Sequence, residues 1–151
     1  MPNRLDLRPR SVQLATPAAP DYTLRMFVRW QSRVRAERND WALREVGDIT
    51  WNAILVESVR VDGKPRQNHV AYLGSFSTRQ AKSSAQRVYT WEHMLERLDR
   101  LSNRITPKDR KKIETVIASK LGPRPTKRER TAAHRRAARI VAAFKAKRLG
   151  R

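Results

Sequence analysis

The sequence predicts an α+β fold, with a three-stranded antiparallel sheet packed by two helices, a basic C-terminal helical arm and a flexible N-terminal tail. Three observations predict this fold. Two alternating apolar segments flank an Asp62-Gly63 pair, two apolar patterns of helical period follow, and a helical segment rich in Arg and Ala comes last. The predicted units are a tail over residues 1–20, a small α+β domain over residues 21–122 and an arm over residues 123–151.

The first 20 residues hold four prolines and three arginines and show no sustained apolar period. We expect a flexible basic tail, which either follows a phosphate backbone or has no function. From Thr23 apolar and polar residues alternate, as Met26, Val28 and Trp30 show, which predicts a first strand near residues 23–34. Residues 36–48 are polar enough to be a connection, although Trp41 and its apolar neighbours could hold a short helix.

The strongest local signal is a predicted β-hairpin with strands over residues 49–61 and 64–73. A two-residue Asp62-Gly63 connection favours a type I′ turn, because both central positions need a positive φ. The expected cross-strand pairs are Val61 with Lys64, Ser58 with Gln67, Val56 with His69, Leu55 with Val70 and Ala53 with Tyr72.

Three helices are predicted after the hairpin. The first is capped by Ser77 or Thr78 and runs to about residue 101, with apolar residues at three- and four-residue steps. The second begins at Thr106 and Pro107 and stops at Gly122. It is expected to bury Ile113, Val116, Ile117 and Leu121. The last starts at Thr126, after a stiff joint that contains Pro123 and Pro125, and runs to about Arg148.

The charge balance points to an anionic partner. Lys and Arg number 34 against 14 for Asp and Glu, a formal net charge of +20. Such a surface attracts phosphate polyanions and releases their counterions, so nucleic acid is the first candidate partner. An anionic membrane surface is the second, because clustered basic residues also bind acidic lipid head groups. There is no run of about 18 apolar residues, so no membrane span is expected.

Two sets of residues are predicted to contact nucleic acid. The set on the last helix comprises Lys127, Arg128, Arg135, Arg136, Arg139, Lys145, Lys147 and Arg148. At 100 degrees per residue, helical spacing places Arg128, Arg135 and Arg139 close together. Glu129 is the one acid within that stretch, so like-charge repulsion is expected to leave the free helix partly unfolded until it binds. The set on the hairpin comprises Arg60, Lys64, Arg66, Gln67 and Asn68, and any sequence preference is expected from Arg60, Arg66, Gln67 and Asn68. The first predicted strand adds the basic residues Arg25, Arg29 and Arg33 to the sheet. Each set also has an interpretation without nucleic acid. The helix set would then be a solvated face, and the hairpin set would be charges on an edge strand that prevent aggregation.

No catalytic group, metal site or cofactor is predicted, and the chain is not expected to be an enzyme. There is no Cys, no Gly-rich phosphate loop and no metal-ligand spacing among the three histidines. Glu92, Glu96 and Asp99 could hold a divalent ion, but ion pairs within their own helix are the favoured interpretation. Of the four tryptophans, all but Trp41 are expected in the core.

The hairpin also resembles a known segment. Its first strand ends in Arg60, its turn carries Gly63-Lys64, and Leu73-Gly74 closes it. These features are similar to the N-terminal hairpin of certain DDE-type insertion-sequence transposases, over about residues 53–74. The resemblance implies a small sheet module of mobile-element or phage origin that touches DNA through Arg60, Lys64 and Arg66. The chain departs from that family after Gly74 and is too short there for the metal-binding catalytic core, so transposase activity is not expected.

The sequence therefore predicts a non-catalytic, cytoplasmic protein that binds nucleic acid, with duplex DNA favoured and a nucleoid association implied. Two alternatives stay open. One is structured RNA, as for a ribosome-associated or RNA-scaffold protein with a basic tail. The other is an acidic protein partner, as for an inhibitor of a nucleic-acid enzyme.

Overall fold

A computed structural model describes residues 25–34 and 47–150, which form one three-stranded antiparallel sheet and four helices. The strands are β1 (Arg25–Val34), β2 (Ile49–Val61) and β3 (Lys64–Ser77), in the order β1-β2-β3. The predicted α+β fold is confirmed. The predicted tail over residues 1–20 lies outside the described residues, and so does the connection after β1 up to residue 46.

The β2-β3 hairpin has the predicted turn. Asp62 and Gly63 have φ values of 51° and 74°, as a type I′ turn requires. Next to the turn, the predicted pairing is confirmed. The pairs are Val61 with Lys64, Ser58 with Gln67 and Val56 with His69.

Farther from the turn the predicted pairing is wrong, because β3 contains two irregularities. The register shifts between Leu55 and Val56 and again between Ala53 and Ile54. Leu55 therefore faces Ala71 instead of Val70, and Ala53 faces Gly74 instead of Tyr72. Each shift leaves one extra residue on β3, Val70 and Leu73, and both of these pack into the core. Burial of these two side chains is the physical reason for the bulges.

The predicted first helix is two helices in the structure. They are α1 (Thr78–Lys82) and α2 (Ser84–Arg100), with Ser83 between them in an extended conformation. The Ser83 hydroxyl accepts a hydrogen bond from the amide of Gln86, so this residue caps the second helix. A serine that satisfies a free amide in this way competes with continued helix formation.

The two remaining helices are α3 (Pro107–Leu121) and α4 (Lys127–Leu149). The caps at Thr106 and Thr126 and the stop at Gly122 lie where they were predicted. In α3 the buried residues are Ile113, Ile117 and Leu121. Val116 was expected among them but is exposed, because it lies about a quarter turn away from that four-residue stripe.

The core lies between one face of the sheet and the helices α2 and α3. α2 packs along β3, and α3 packs against β1. The fully buried side chains include Leu55, Leu73, Trp91, Leu98 and Ile117. Burial of each large apolar side chain contributes about 1.5–3 kcal/mol, so this contact between sheet and helices dominates the folding energy of the described chain.

The tryptophans of the described chain pack as predicted. Trp91 is buried, and its indole N–H donates to the carbonyl of Gly122 at 3.1 Å, which ties α2 to the end of α3. Trp30 and Trp51 are half-buried and pack against the core. Trp41 lies outside the described residues.

Candidate nucleic-acid interface

The N-terminal half of α4 is fixed to the body of the protein. The Thr126 hydroxyl accepts from the Glu129 amide, while the Glu129 carboxylate accepts from the Thr126 amide at 2.7 Å, forming a capping box. Arg87 of α2 lies 3.5 Å from the same carboxylate. The Tyr89 hydroxyl donates to the Ala133 carbonyl at 3.3 Å. These contacts hold the first two turns of α4 against α2.

A second group of contacts sets the rotation of α4 about its axis. Nε2 of His134 lies 2.8 Å from Oε1 of Glu92, and the imidazole meets the Tyr89 ring edge-on at 5.5 Å between centroids. Ala133 is buried at this junction, with 8% of its surface exposed. The side of the helix that carries Ala133 therefore faces α2.

The opposite side of α4 carries a stripe of arginines. At 3.6 residues per turn, Arg128, Arg135 and Arg139 lie roughly 200 to 240 degrees around the axis from Ala133. All three are exposed. Arg128 and Arg135 line an open groove of about 530 Å³ together with Lys127 and Thr131. One outward surface therefore carries four of the predicted residues, Lys127, Arg128, Arg135 and Arg139. We call the three arginines of this surface the arginine stripe.

The rest of the predicted helix set lies beside or beyond the stripe. Arg136 lines a smaller pocket at the junction with α2, next to Ser84 and Ala85. Lys145, Lys147 and Arg148 lie in the C-terminal half, where every residue from Ala138 onward is exposed. α4 is helical throughout its length, and its partial unfolding in the absence of nucleic acid stays a prediction.

The C-terminal half of α4 also presents apolar side chains to solvent. Ile140, Val141 and Phe144 are 50%, 52% and 70% exposed. Ala133, Ala137, Ile140 and Phe144 follow one another at three- and four-residue steps, so they lie on one side of the helix. The side that packs on α2 in the first half therefore continues as an exposed apolar surface in the second.

Acidic residues of the described chain pair with basic residues outside the two predicted sets. Glu114 pairs with Arg110 and Arg124 at 3.1 Å each, and Asp99 pairs with Arg110 at 2.6 Å. The bond to Asp99 is the main reason why the pKa of Arg110 lies above its ordinary value. By contrast, no Lys or Arg of the two predicted sets forms an ion pair within the described residues. Their charge is therefore not neutralised by an ion pair within the described residues.

Three carboxylates of α2, those of Glu92, Glu96 and Asp99, each have a different partner. Glu96 pairs with Arg100 within the helix, as expected. The expectation is wrong for Glu92 and Asp99, whose partners are His134 of α4 and Arg110 of α3, because α2 lies between these helices. Within residues 25–34 and 47–150, no three His, Asp or Glu side chains come together in a group that could hold a metal ion.

The hairpin residues divide between two faces. Residues 60–69 are all exposed, so the turn end of the ribbon stands out from the body. Arg60 and Gln67 lie on the sheet face away from the helices, because they continue the alternation of Val56 and Ser58. Lys64, Arg66 and Asn68 occupy the other face, in register with Val61, Val59 and Glu57. The five residues therefore do not form one contact surface.

The hairpin set and the helix set lie in different parts of the molecule. Arg104, after α2, lies 3.5 Å from Glu57 near the turn end of the hairpin. α4 instead contacts α2 around Arg87 and Tyr89, near the other end of that helix. No hydrogen bond or ion pair found in the described chain joins the two sets.

The structure reveals a further polar surface, the sheet face that points away from α2 and α3, which we call the open face. Its positions on the strands are Phe27, Arg29, Gln31 and Arg33 on β1, Thr50, Asn52, Ile54, Val56, Ser58 and Arg60 on β2, and Gln67, His69, Tyr72 and Ser75 on β3. Val56 is buried and Phe27, Asn52 and Ile54 are half-buried, whereas Arg29, Gln31 and Arg33 are exposed. Sequence reasoning recognised the arginines of β1 but missed Gln31, Asn52 and Tyr72. The alternation of β1 was the signal for Gln31, while Tyr72 depended on the bulges.

The described helices and strands include no helix with the length and apolar content needed to cross a bilayer. The fold and the surfaces thus define an α+β protein. The predicted basic residues of its last helix have no ion-pair partner in the described chain, and one face of its sheet is left open by the helices. Comparison with protein families, curated proteins and solved structures finds no match to this chain.

Proposed function

We propose that this chain is a non-catalytic nucleic-acid-binding protein that grips the phosphate backbone of duplex DNA through α4 and the basic residues of its sheet. The observation that carries the proposal is the arginine stripe, which is exposed and has no acidic partner in the described chain. Packing of Ala133 on α2 turns this stripe outward. Each phosphate contact releases condensed counterions, so the affinity comes from charge that the fold leaves unpaired.

A basic helix suits a duplex for geometric reasons. The major groove of B-DNA is about 12 Å wide and accepts one α-helix, while a helix along the backbone meets phosphates at regular intervals. The capping box and the Glu92–His134 contact orient α4 before binding, which lowers the ordering cost of its first half. The proposal places the chain in the cytoplasm, associated with the nucleoid, and gives it a phage or other mobile-element origin.

The test is duplex binding across a salt series, with the full chain and two charge-matched variants. Arg128, Arg135 and Arg139 change to Ala in the first variant, and Lys108, Lys111 and Lys112 of α3 change to Ala in the second. Both variants lose the same net charge. If the stripe makes three phosphate contacts, the slope of log K against log salt falls by about 2.7 in the first variant and by less than about 1 in the second. Equal affinity and slope in the stripe variant and the wild type would overturn the proposal.

A second candidate function is the capture of an acidic protein, and the exposed apolar side of α4 favours it. Ile140, Val141 and Phe144 have no partner in the described chain that buries them. Contiguous exposed apolar residues with a polar rim are typical of protein-interaction sites. The salt series separates the candidates, since shallow and weak duplex binding by the wild type would favour the protein partner. Competition with a structured RNA of equal length tests the remaining nucleic-acid alternative.

A further inference from the structure

The open face of the sheet combines basic, amide and hydroxyl groups and has no opposing charge. None of its positions on the described strands carries Asp or Glu. Arg29, Gln31 and Arg33 are exposed, and none of their side chains forms a hydrogen bond or ion pair within the described residues. Gln31 is paired in register with Asn52, so two amide side chains lie side by side on adjacent strands of this face.

These side chains match the chemistry of base edges. An Asn or Gln amide can donate to and accept from adenine at once, and an Arg can donate two hydrogen bonds to guanine. Phosphates need charge alone, so a pair of neutral amides between two arginines indicates recognition of a base pair in addition to backbone contact. The Asn52 side chain is already oriented, because its Oδ1 accepts from the Tyr72 hydroxyl at 3.5 Å.

The spacing of the open face fits a double helix. Alternate residues of an antiparallel strand are about 6.8 Å apart, close to two base-pair steps of about 3.4 Å. Arg29, Gln31 and Arg33 therefore recur along β1 at intervals of about two base pairs. Gln31 and Asn52 lie on the adjacent strands β1 and β2, and the major groove accepts a two-stranded ribbon of this kind.

Unpaired bases fit this face less well. Single-stranded nucleic acid binds on exposed aromatic rings on which bases can stack. Phe27 is half-buried, and the Tyr72 ring already has the Arg97 guanidinium over it, 5.3 Å from the ring centroid. Arg97 also donates to the carbonyl of Tyr72, which fixes the guanidinium there.

We propose that the open face reads base edges in the major groove of duplex DNA, with Gln31 and Asn52 as specificity residues and Arg29 and Arg33 beside them. This inference rests on the proposed function, and because α2 lies between the sheet and α4, the open face contacts a different segment of duplex from the arginine stripe. It differs from the sequence-based expectation, which assigned sequence preference to Arg60, Arg66, Gln67 and Asn68. Of these, only Arg60 and Gln67 share the open face.

The experiment selects a preferred sequence from a pool of random duplexes of roughly 20 base pairs with the full chain, and compares its affinity with that of a scrambled duplex. The test variant carries Gln31→Ala and Asn52→Ala, and a second carries Gln31→Ala alone, which removes no hydrogen bond of the described chain. The control carries Gln86→Ala on α2 and Asn103→Ala after α2, which are exposed polar residues outside the open face and outside both predicted sets. All these changes leave the net charge unchanged, so phosphate attraction stays constant.

We expect the wild type and the control to prefer the selected duplex by at least about tenfold, and the test variant to bind both duplexes with nearly equal affinity. Gln31→Ala alone should lose part of the preference with an unaltered melting temperature. Preference retained by both open-face variants would overturn the inference. Salt-sensitive duplex binding by the wild type, with no sequence enriched in the selection, would also overturn the inference, and the proposed function would then stand. Absence of salt-sensitive duplex binding, or tighter binding of structured RNA, would overturn both.

Discussion

Nε2 of His134 lies 2.8 Å from Oε1 of Glu92, and this contact joins the middle of α4 to the middle of α2. It lies between the buried Ala133 and the outward stripe, so it decides which side of α4 meets solvent. The positive surface of this protein thus depends on an exposed contact between two helices as well as on the number of its arginines.

His134→Ala should loosen the docked half of α4. Exposed pairs of this kind contribute about 0.2–1 kcal/mol, so the effect should be local. We expect faster amide hydrogen exchange over residues 127–137 and unchanged exchange in α3. His93→Ala is the matched control, because His93 is an exposed histidine of α2 without a hydrogen bond in the described chain. Equal exchange in the two variants would show that the contact does not hold the helix.

Trp91→Ala should strongly destabilise the protein, whereas Phe144→Ala should not. Removal of a buried aromatic side chain costs about 3–5 kcal/mol, and loss of the Trp91 indole leaves the Gly122 carbonyl without its donor. Phe144 is 70% exposed, so its loss should change the free energy of unfolding by less than about 0.5 kcal/mol. Urea denaturation of both variants measures the difference. A large loss in Phe144→Ala would mean that this side chain is buried in solution.

Gly63→Val should weaken the hairpin more than Gly63→Asn. Gly63 has φ +74° with nothing within 4 Å of the position of an added Cβ, so strain comes from the backbone and not from a clash. The left-handed region costs an ordinary residue roughly 1–2 kcal/mol, whereas asparagine tolerates it better. Thermal unfolding of the two variants tests this ranking. Equal melting temperatures would show that the turn conformation adds nothing to stability.

Acid should weaken the start of α4 through Glu129. The hydrogen bond from the Thr126 amide, then that from its hydroxyl, lowers the pKa of Glu129 below its ordinary value. Because this pKa is lower in the folded than in the unfolded state, the Glu129 carboxylate stabilises the fold at pH values above its unfolded-state pKa of about 4.3. The stabilisation is lost as the pH falls through the folded-state pKa. Circular dichroism during acid titration should show a smaller loss of helix in Glu129→Gln, which keeps an acceptor without a titrating charge. Superimposable titrations of the two proteins would contradict this assignment.

The elements of the fold were predictable where local chemistry decides them. Asp62-Gly63 requires its turn, and Thr106 with Pro107 requires its helix start, because these residues act through their own backbone conformations. The break at Ser83 was missed, since a serine inside an apolar helical pattern is compatible with either a continuous helix or a cap.

The candidate site was only partly predictable. Helical spacing placed Arg128, Arg135 and Arg139 together, because the geometry of one helix suffices for that. The division of the hairpin residues followed from the position of the core, and the β3 bulge at Val70 brought Tyr72 to the open face. Pairing across strands depends on which side chains the helices cover, and no short segment contains that information.

The sequence by itself determined the net charge of +20, the α+β class, the type I′ turn and the ends of α3, because composition and local backbone preferences are sufficient for these. Only the tertiary structure decided which charges stay unpaired and which sheet face stays open. Both depend on how α2 packs between the sheet and α4, where Glu92 meets His134 and Leu73 enters the core. Such contacts join residues far apart in the chain, and their energies arise only when the whole fold brings them together.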